Sequence, residues 1–187
     1  SASPNINSAG NKAFGLYSGS SSSVASAYRS FDTSLSAGQT FSISIDNGYA
    51  DSGSAMGFGL QTSTGTNRFE LYWKGGASDY KYSASSGEQG TGVGYTEGGL
   101  RIDFKLLSGG NSADVRVVRL SNGSETFFSN LSLASSGSIS RLRVFNYRAG
   151  NNSSNDFFVN SMTVPEPTSF CLFAGAIGVV VSRRNRK

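Results

Sequence analysis

Apolar and polar residues alternate with a period of two along most of this chain. The clearest alternating rows are residues 40–45, 68–74 and 100–106. Successive side chains of a β-strand point to opposite faces, so each row predicts a strand with one buried and one solvated face. Further extended apolar runs occupy residues 56–60, 115–120, 126–131, 139–147 and 157–164. Up to residue 164 the sequence has no sustained period of 3.6 that would indicate a helix.

Clusters of Gly, Asn and Ser separate the extended runs. They occupy residues 108–113, 121–124, 134–138 and 148–155, where such residues supply positive φ or local side-chain hydrogen bonds. About nine to eleven short strands joined by such turns are typical of two packed antiparallel sheets. We therefore predict an all-β fold, an antiparallel β-sandwich or jelly roll followed by a short C-terminal hydrophobic helix. An up-and-down barrel is the alternative.

Length and charge narrow the possible functions. The 187 residues suit one domain with a single core. Four of the 16 Lys and Arg lie within residues 183–187. Residues 1–164 hold the other 12 together with 11 Asp and Glu, which gives these residues a net charge of +1. The net charge of +4 therefore comes mostly from the C-terminus. Residues 1–164 therefore offer no basic surface to a phosphate backbone, and we expect no nucleic-acid partner.

The residue types that most often carry catalysis and metal binding are scarce. The chain contains no His and a single cysteine, Cys171. These counts exclude a Ser-His-Asp triad, a Cys₂His₂ zinc site and an intrachain disulfide. Asp46, Asn47 and Asp51 offer oxygen atoms of the kind that calcium accepts, but their spacing lacks the EF-hand pattern and favours a strand-ending turn. We predict no cofactor and no metal site.

Residues 165–187 differ in composition from everything before them. Pro165, Glu166 and Pro167 precede an apolar segment, residues 168–182. A basic cluster then closes the sequence and comprises Arg183, Arg184, Arg186 and Lys187. In this order the three parts resemble the PEP-CTERM sorting signal of exported bacterial proteins, which an exosortase processes. Fifteen residues form a helix of about 22 Å against a hydrocarbon core of about 30 Å, so we expect a transient membrane anchor.

The resemblance implies a division of the chain and a destination. Residues 165–167 would be the recognition motif for the exosortase, and residues 183–187 would stay cytoplasmic by the positive-inside rule. Residues 1–164 would then be an exported β-sandwich domain that reaches the cell surface or the extracellular matrix. The sequence begins with SASPNINSAG and without a hydrophobic leader, so we expect the export signal in a precursor.

Three stretches of the body, GYTEGGLRIDF, RLRVFN and NDFFVNSMTV, resemble later strands of concanavalin-like jelly-roll modules. The resemblance implies a lectin-like shape. This fold also includes glycosidases, which need a pair of carboxylates, but the E-x-D-x-x-E arrangement of laminarinase-type members does not occur here. The acidic residues are instead dispersed: Glu70, Glu88, Glu97, Asp103 and Glu125. We predict a non-enzymatic structural or adhesive protein without catalytic residues; a secreted glycan-active enzyme is the alternative.

Sugar binding requires an aromatic plane and polar groups that reach the hydroxyls. Trp73 has the same parity as Phe69 and Leu71, which favours a place in the core. Tyr72 has the opposite parity and shares a predicted polar face with Arg68. Tyr80 and Tyr82 stand among polar neighbours, and two arginines alternate with apolar residues in a later strand. The candidate glycan-binding residues are Tyr72, Tyr80, Tyr82, Arg141 and Arg143.

The two later arginines suggest a particular ligand. Together with Arg101 and Asp103, Arg141 and Arg143 would line a polar concave sheet that meets an acidic exopolysaccharide. The alternative is a solvated face that is held by cross-strand ion pairs.

Overall fold

The computed structural model describes residues 12–20 and 22–165. Its strands are β1 (Phe14–Leu16), β2 (Val24–Ser30), β3 (Thr40–Asn47), β4 (Ala55–Gln61), β5 (Asn67–Lys74), β6 (Lys81–Ala84), β7 (Gly87–Gly90), β8 (Leu100–Leu106), β9 (Ser112–Arg119), β10 (Glu125–Ser132), β11 (Arg141–Tyr147) and β12 (Phe157–Thr163). A single-turn 3₁₀ helix spans Ser153–Asn155, and the described residues form no α-helix. The predicted C-terminal helix falls on residues 168–182, outside the described residues.

The strands form two six-stranded sheets in which every neighbouring pair is antiparallel. Sheet A has the order β1-β12-β3-β8-β9-β10, and sheet B has the order β2-β11-β4-β5-β6-β7. Two separate sheets confirm the predicted sandwich over the barrel. The strand number exceeds the prediction because short edge strands such as β7, which is exposed along its length, carry no apolar row.

Alternating side chains from both sheets meet in one core. The central buried residues are Phe41, Ile43 and Ile45 of sheet A and Met56, Phe58 and Leu60 of sheet B. Aromatic rings join the sheets, since the Phe41 and Phe58 centroids lie 6.2 Å apart and those of Phe69 and Phe104 lie 5.3 Å apart. Each fully buried apolar side chain stabilises the fold by about 1.5–3 kcal/mol relative to exposure. Trp73 is buried beside Tyr80, which confirms its predicted place in the core.

Arg68 corrects one prediction from the alternating pattern, because it lies inside the sandwich and not on the polar face beside Tyr72. Leu60 opposes Phe69 while Gln61 opposes Asn67, so Arg68 is the extra residue of a β-bulge. A bulge breaks the strict alternation of side chains.

The Arg68 guanidinium connects separate parts of the chain. Nη1 donates a hydrogen bond to the Gly137 carbonyl, and Nη2 donates to the Gly110 carbonyl at 2.9 Å and to Asn111 Oδ1 at 3.1 Å. Burial lowers the pKa of Arg68, which is consistent with a charge removed from water. This one side chain therefore ties β5 to the β8–β9 turn and to the segment before β11.

Candidate functional site

The outer face of sheet B, the surface that points away from the core, collects several of the predicted site residues. Two rows of paired residues cross it from β2 towards β7. The first row is Tyr28, Arg143, Gly59, Glu70, Ser83 and Glu88, and the second is Ser26, Phe145, Gly57, Tyr72 and Lys81. Neighbouring strands are about 4.8 Å apart, so charged and aromatic side chains from five strands share a compact surface.

Two glycines of β4 leave room for side chains of the adjacent strand. A Cβ atom on Gly57 would lie 2.5 Å from Tyr72 Cβ, and one on Gly59 would lie 3.2 Å from Glu70 Cγ. Glu70 therefore extends over β4, whereas Tyr72 fills the space beside Gly57 and directs its hydroxyl towards Glu88 of β7. The ring of Tyr72 comes within 6.3 Å of the Phe145 ring, centroid to centroid. The glycines thus allow the groups of β5 and β11 to approach each other across the strand between them.

Arg141 and Arg143 lie two residues apart on β11, and both stack on aromatic rings. The guanidinium carbon of Arg141 is 4.8 Å from the Tyr28 ring centroid, and that of Arg143 is 4.8 Å from the Phe145 centroid. Arg141 also donates from Nε and Nη2 to Gln61 Oε1, at 3.0 and 2.8 Å. Within residues 12–20 and 22–165, neither guanidinium takes part in an ion pair.

Two carboxylates of the same face have opposite electrostatic environments. Burial raises the pKa of Glu70, although the charge of Arg143 and a hydrogen bond with Asn67 act in the other direction. Glu88 accepts hydrogen bonds from Tyr72 Oη at 2.6 Å and Lys74 Nζ at 2.9 Å, and these bonds lower its pKa. Burial, together with Glu88, raises the pKa of Tyr72 and keeps its phenol protonated.

Three of the five candidate glycan-binding residues lie together on one face of the structure, and the other two do not belong to that face. Tyr72, Arg141 and Arg143 share the outer face of sheet B. Tyr80 is only 1% exposed, packs against Trp73, and donates its hydroxyl hydrogen to Asn47 Oδ1. The expectation of a polar, accessible setting is therefore wrong for Tyr80.

Tyr82 also points inward, because it pairs with the inward-facing Leu71 in the register of β5 and β6. Its ring lies 5.1 Å from Phe128 and 6.4 Å from Phe69, measured between centroids. Polar neighbours in sequence gave no indication of these contacts, since both aromatic partners belong to other strands. Tyr82 is consequently not part of the outer face.

Arg101 and Asp103 do not accompany Arg141 and Arg143, which corrects the prediction of one shared polar sheet. Arg101 and Asp103 lie on β8, and their side chains belong to the outer face of sheet A. There Asp103 accepts hydrogen bonds from Arg116 Nη2 at 2.6 Å and Ser42 Oγ at 2.8 Å. The ion-paired solvated face that was the alternative interpretation therefore describes sheet A.

Sequence reasoning missed Tyr28 and Phe145 as components of the site. Tyr28 is 57% exposed and pairs with Arg143 across β2 and β11. Only the alternation of Gly57 and Gly59 with the apolar residues of β4 hinted at a surface without side chains. The partners above that surface depend on strand register, which the pattern does not encode.

The calcium interpretation of Asp46, Asn47 and Asp51 gains no support from the geometry. Asp46 and Asn47 end β3 and are buried, whereas Asp51 lies in the exposed turn before β4. Across the described ranges, no three His, Cys, Asp or Glu side chains are grouped so as to hold a metal ion. The same ranges include no helix of the length and apolarity that a membrane crossing requires.

The sequence matches no protein-family model and no curated protein. Solved structures with a similar fold include a sialidase at 9% identity, with a TM-score of 0.48 over 75% of this chain. They also include the CBM2 module of the evolved Dit of Lactobacillus casei BL23 phage J-1, at 15% identity, a TM-score of 0.46 and coverage of 88% of this chain and 82% of that module.

A third similar structure is a polysaccharide lyase of family 18, at 10% identity and a TM-score of 0.39, with 67% of this chain and 71% of the lyase covered. The chain spans only 15% of the length of the sialidase. Similarity at this level concerns the β-sandwich architecture. The prediction that the chain is not an enzyme is wrong as an exclusion, since the structures of similar architecture include a sialidase and a polysaccharide lyase.

Proposed function

We propose that the sandwich binds an acidic extracellular polysaccharide through the outer face of sheet B. The observation that carries this proposal is the pair Arg141 and Arg143, which stack on Tyr28 and Phe145 and form no ion pair within the described residues. Residues two apart on a strand are about 7 Å apart and point to the same face. The two guanidinium groups are thus placed to meet successive anionic groups of one polymer.

The chemistry of the face suits such a ligand. A planar guanidinium binds carboxylate or sulfate through two parallel hydrogen bonds. An aromatic ring that holds the guanidinium from one side limits the side-chain entropy lost on binding. Tyr28 remains 57% exposed, so its ring edge and hydroxyl are accessible to a sugar.

Binding of a defined acidic polymer tests the proposal. We expect affinity electrophoresis in gels that contain polygalacturonate to retard the 187-residue chain, and the variant R141A/R143A to bind at least about tenfold more weakly, since each charge-assisted hydrogen bond is worth about 1.5–3 kcal/mol. The matched control is Arg101→Ala on the outer face of sheet A, which should leave retardation unchanged. Equal retardation of all three proteins, or none of the wild type, would contradict the proposal.

The destination of the domain rests on the resemblance of residues 165–187 to a sorting signal. We propose that an exosortase processes the chain near residues 165–167, that residues 168–182 anchor it transiently in the membrane, and that the domain reaches the cell surface or extracellular matrix. The variant Glu166→Ala should accumulate unprocessed in the membrane of a host with an active exosortase. Mass spectrometry of exported protein that still contains residues 170–187 in such a host would exclude the idea.

A second candidate function, a glycan-active enzyme, is favoured by the placement of Glu70 and Glu88. They belong to the same row of the outer face of sheet B, on strands separated by β6, which puts their Cα atoms about 10 Å apart. Their pKa values are shifted in opposite directions, as in pairs that divide the roles of acid and base. A reducing-sugar assay tests this function: turnover should be lost in Glu70→Gln and Glu88→Gln while binding is retained.

A further inference from the structure

One end of the sandwich exposes three tyrosines that the outer face of sheet B does not include. Tyr17 is 72% exposed, Tyr49 is 65% exposed and Tyr95 is 37% exposed. Tyr17 follows β1, Tyr49 lies between β3 and β4, and Tyr95 lies between β7 and β8. We call these three residues the tyrosine rim.

The topology of sheet A explains why residues so distant in sequence share one end. β1 and β3 both pair antiparallel with β12, so they run in the same direction and end together. Leu16 and Asn47 both pair with Phe157, which places Tyr17 and Gly48 on either side of Asp156, about 10 Å from each other. β8 is antiparallel to β3 and therefore begins at this end, directly after the loop that contains Tyr95.

Hydrogen bonds fix the backbone that carries the rim. Tyr49 N donates to the Ser154 carbonyl at 2.6 Å, and Asn155 Nδ2 donates to the Tyr49 carbonyl at 2.9 Å. The Tyr95 hydroxyl donates to the Asn47 carbonyl at 3.3 Å. Gly48 has no side chain to separate these segments, and a Cβ atom there would lie 1.9 Å from the Ser154 oxygen. The loops are therefore packed together through backbone contacts that leave the Tyr17 and Tyr49 rings in solvent.

Rigidly mounted, exposed tyrosines provide flat surfaces with a polar edge, which is the chemistry that stacks against the apolar face of a sugar ring. Carboxylates stand close to the rim: Asp156 lies between the Tyr17 and Gly48 backbones, and Asp51 is in the exposed turn just after Tyr49. Carboxylates accept hydrogen bonds from sugar hydroxyls but repel anionic polymers. Among the cations at this end, Arg148 lies over the ring of Tyr147, Lys74 pairs with Glu88, and Arg119 Nη2 donates to the Gly94 carbonyl at 2.7 Å.

We propose that the tyrosine rim is a second glycan site, separate from the outer face of sheet B, and that it binds the sugar rings of a neutral polysaccharide by aromatic stacking. It is independent of the arginine pair and of the acidic ligand proposed for that pair. A chain with both sites would attach to two chemically different components of an extracellular matrix.

The test compares two exposed aromatic surfaces of the same 187-residue chain. The variant Y17A/Y49A removes the two most exposed rings of the rim. Phe127→Ala is the matched control, because Phe127 is 63% exposed on β10 at the opposite edge of sheet A. Affinity electrophoresis in gels with hydroxyethylcellulose, dextran or galactomannan measures binding to neutral polymers, and gels with polygalacturonate measure binding to an acidic one.

We expect wild-type chain and Phe127→Ala to be retarded equally in at least one neutral gel, and Y17A/Y49A to bind at least tenfold more weakly. The variant R141A/R143A should keep the neutral interaction and lose the acidic one, so that failure of either site is recognised separately. Absence of retardation of the wild type in all three neutral gels, or retardation of Y17A/Y49A equal to wild type, would overturn the proposal. Conversion of a wild-type dimer to a monomer by Y17A/Y49A without any change in the gels would likewise assign the rim to self-association.

Discussion

The two outer faces of the sandwich use the same alternating pattern for different purposes. On sheet A, Asp103 lies between Arg101 at 3.4 Å and Arg116 at 2.6 Å, and Arg116 also contacts Glu125 at 3.3 Å. On sheet B, Arg141 and Arg143 stack on aromatic rings and have no ion-pair partner among the described residues. Charges on sheet A therefore satisfy one another, whereas guanidinium groups on sheet B keep hydrogen-bonding capacity for a ligand.

The difference shows that an alternating polar row does not by itself indicate a binding surface. Both faces present arginines at outward-facing positions of a strand, Arg101 on β8 and the pair on β11. The neighbours across the strands decide the outcome, because a carboxylate opposite an arginine neutralises it while an aromatic ring only orients it. The variants below separate stability from binding on this basis.

The largest effect is expected from the side chain that belongs to neither outer face and joins the two sheets. Replacing Arg68 with Met should destabilise the fold by about 3 kcal/mol, because the carbonyls of Gly110 and Gly137 lose their buried donor. For a domain of this size the melting temperature should fall by roughly 6–12 °C in a thermal denaturation followed by circular dichroism. Lys74→Met, on the exposed side of the same strand, is the control and should shift it by less than about 2 °C. Equal shifts would show that Arg68 is not a structural link.

A smaller effect on stability is expected for the ion-paired face. Burial disfavours ionisation of Asp103, but hydrogen bonds from Arg116 and Ser42 and the charge of Arg101 hold its pKa below the usual range. This stability is present above the unfolded pKa of about 3.9 and is lost as pH falls through the lower folded value. Asp103→Asn should therefore destabilise the chain by about 1–2 kcal/mol at neutral pH without changing polygalacturonate binding. Urea denaturation at pH 7 and pH 3 measures the loss in the free energy of unfolding. Weaker polygalacturonate binding by Asp103→Asn would contradict the separation of the two outer faces.

The smallest effect on stability is expected on the outer face of sheet B, where the pKa of Glu70 is raised whereas that of Asp103 is lowered. Burial raises the pKa of Glu70, so the protonated form of Glu70 is the one that favours the folded chain. This stabilisation is fully present below the unfolded pKa of about 4.3 and is lost as pH rises through the folded pKa. Glu70→Gln should thus increase stability at pH 8 by less than about 1 kcal/mol and should flatten this part of the pH profile.

Glu70 should also influence binding, because its ionised form competes with an acidic ligand for Arg143. The groups that interact with it are Arg143, Asn67 and Tyr72, and Glu88 lies two strands away in the same row. Binding to polygalacturonate should strengthen as pH falls through the Glu70 pKa in the wild type and should be less dependent on pH in Glu70→Gln. Calorimetric titrations at several pH values measure both proteins, and identical profiles would show that Glu70 does not oppose the ligand.

Much of the fold was predictable from the sequence because the evidence for it is local. Rows such as residues 100–106 and 40–45 alternate without interruption, and their apolar members are buried in the core as predicted. Trp73 was placed correctly by its parity with Phe69 and Leu71. Arg68 was misplaced because a bulge between β4 and β5 inserts one residue, and such an insertion leaves no mark in the pattern of apolar residues.

The candidate site was less predictable because its neighbours come from distant parts of the chain. Tyr72, Arg141 and Arg143 were identified individually, but the contact of Arg143 with Phe145 and of Arg141 with Tyr28 depends on rotamers and register. Tyr80 appeared accessible from its polar neighbours, yet it is buried and bonds to Asn47 at the end of β3 and to residues 91 and 93 of the loop after β7.

By itself the sequence determined that this chain forms an antiparallel β-sandwich and which side of most strands is buried, because strand geometry turns a period of two directly into two faces. Tertiary structure alone decided that Arg101 and Arg143 lie on opposite surfaces, that Arg68 points inward, and that Tyr17, Tyr49 and Tyr95 lie at the same end of the sandwich. The physical reason is that sheet membership, register and bulges follow from pairing between segments tens of residues apart, and a one-residue change in that pairing moves a side chain from one face to the other.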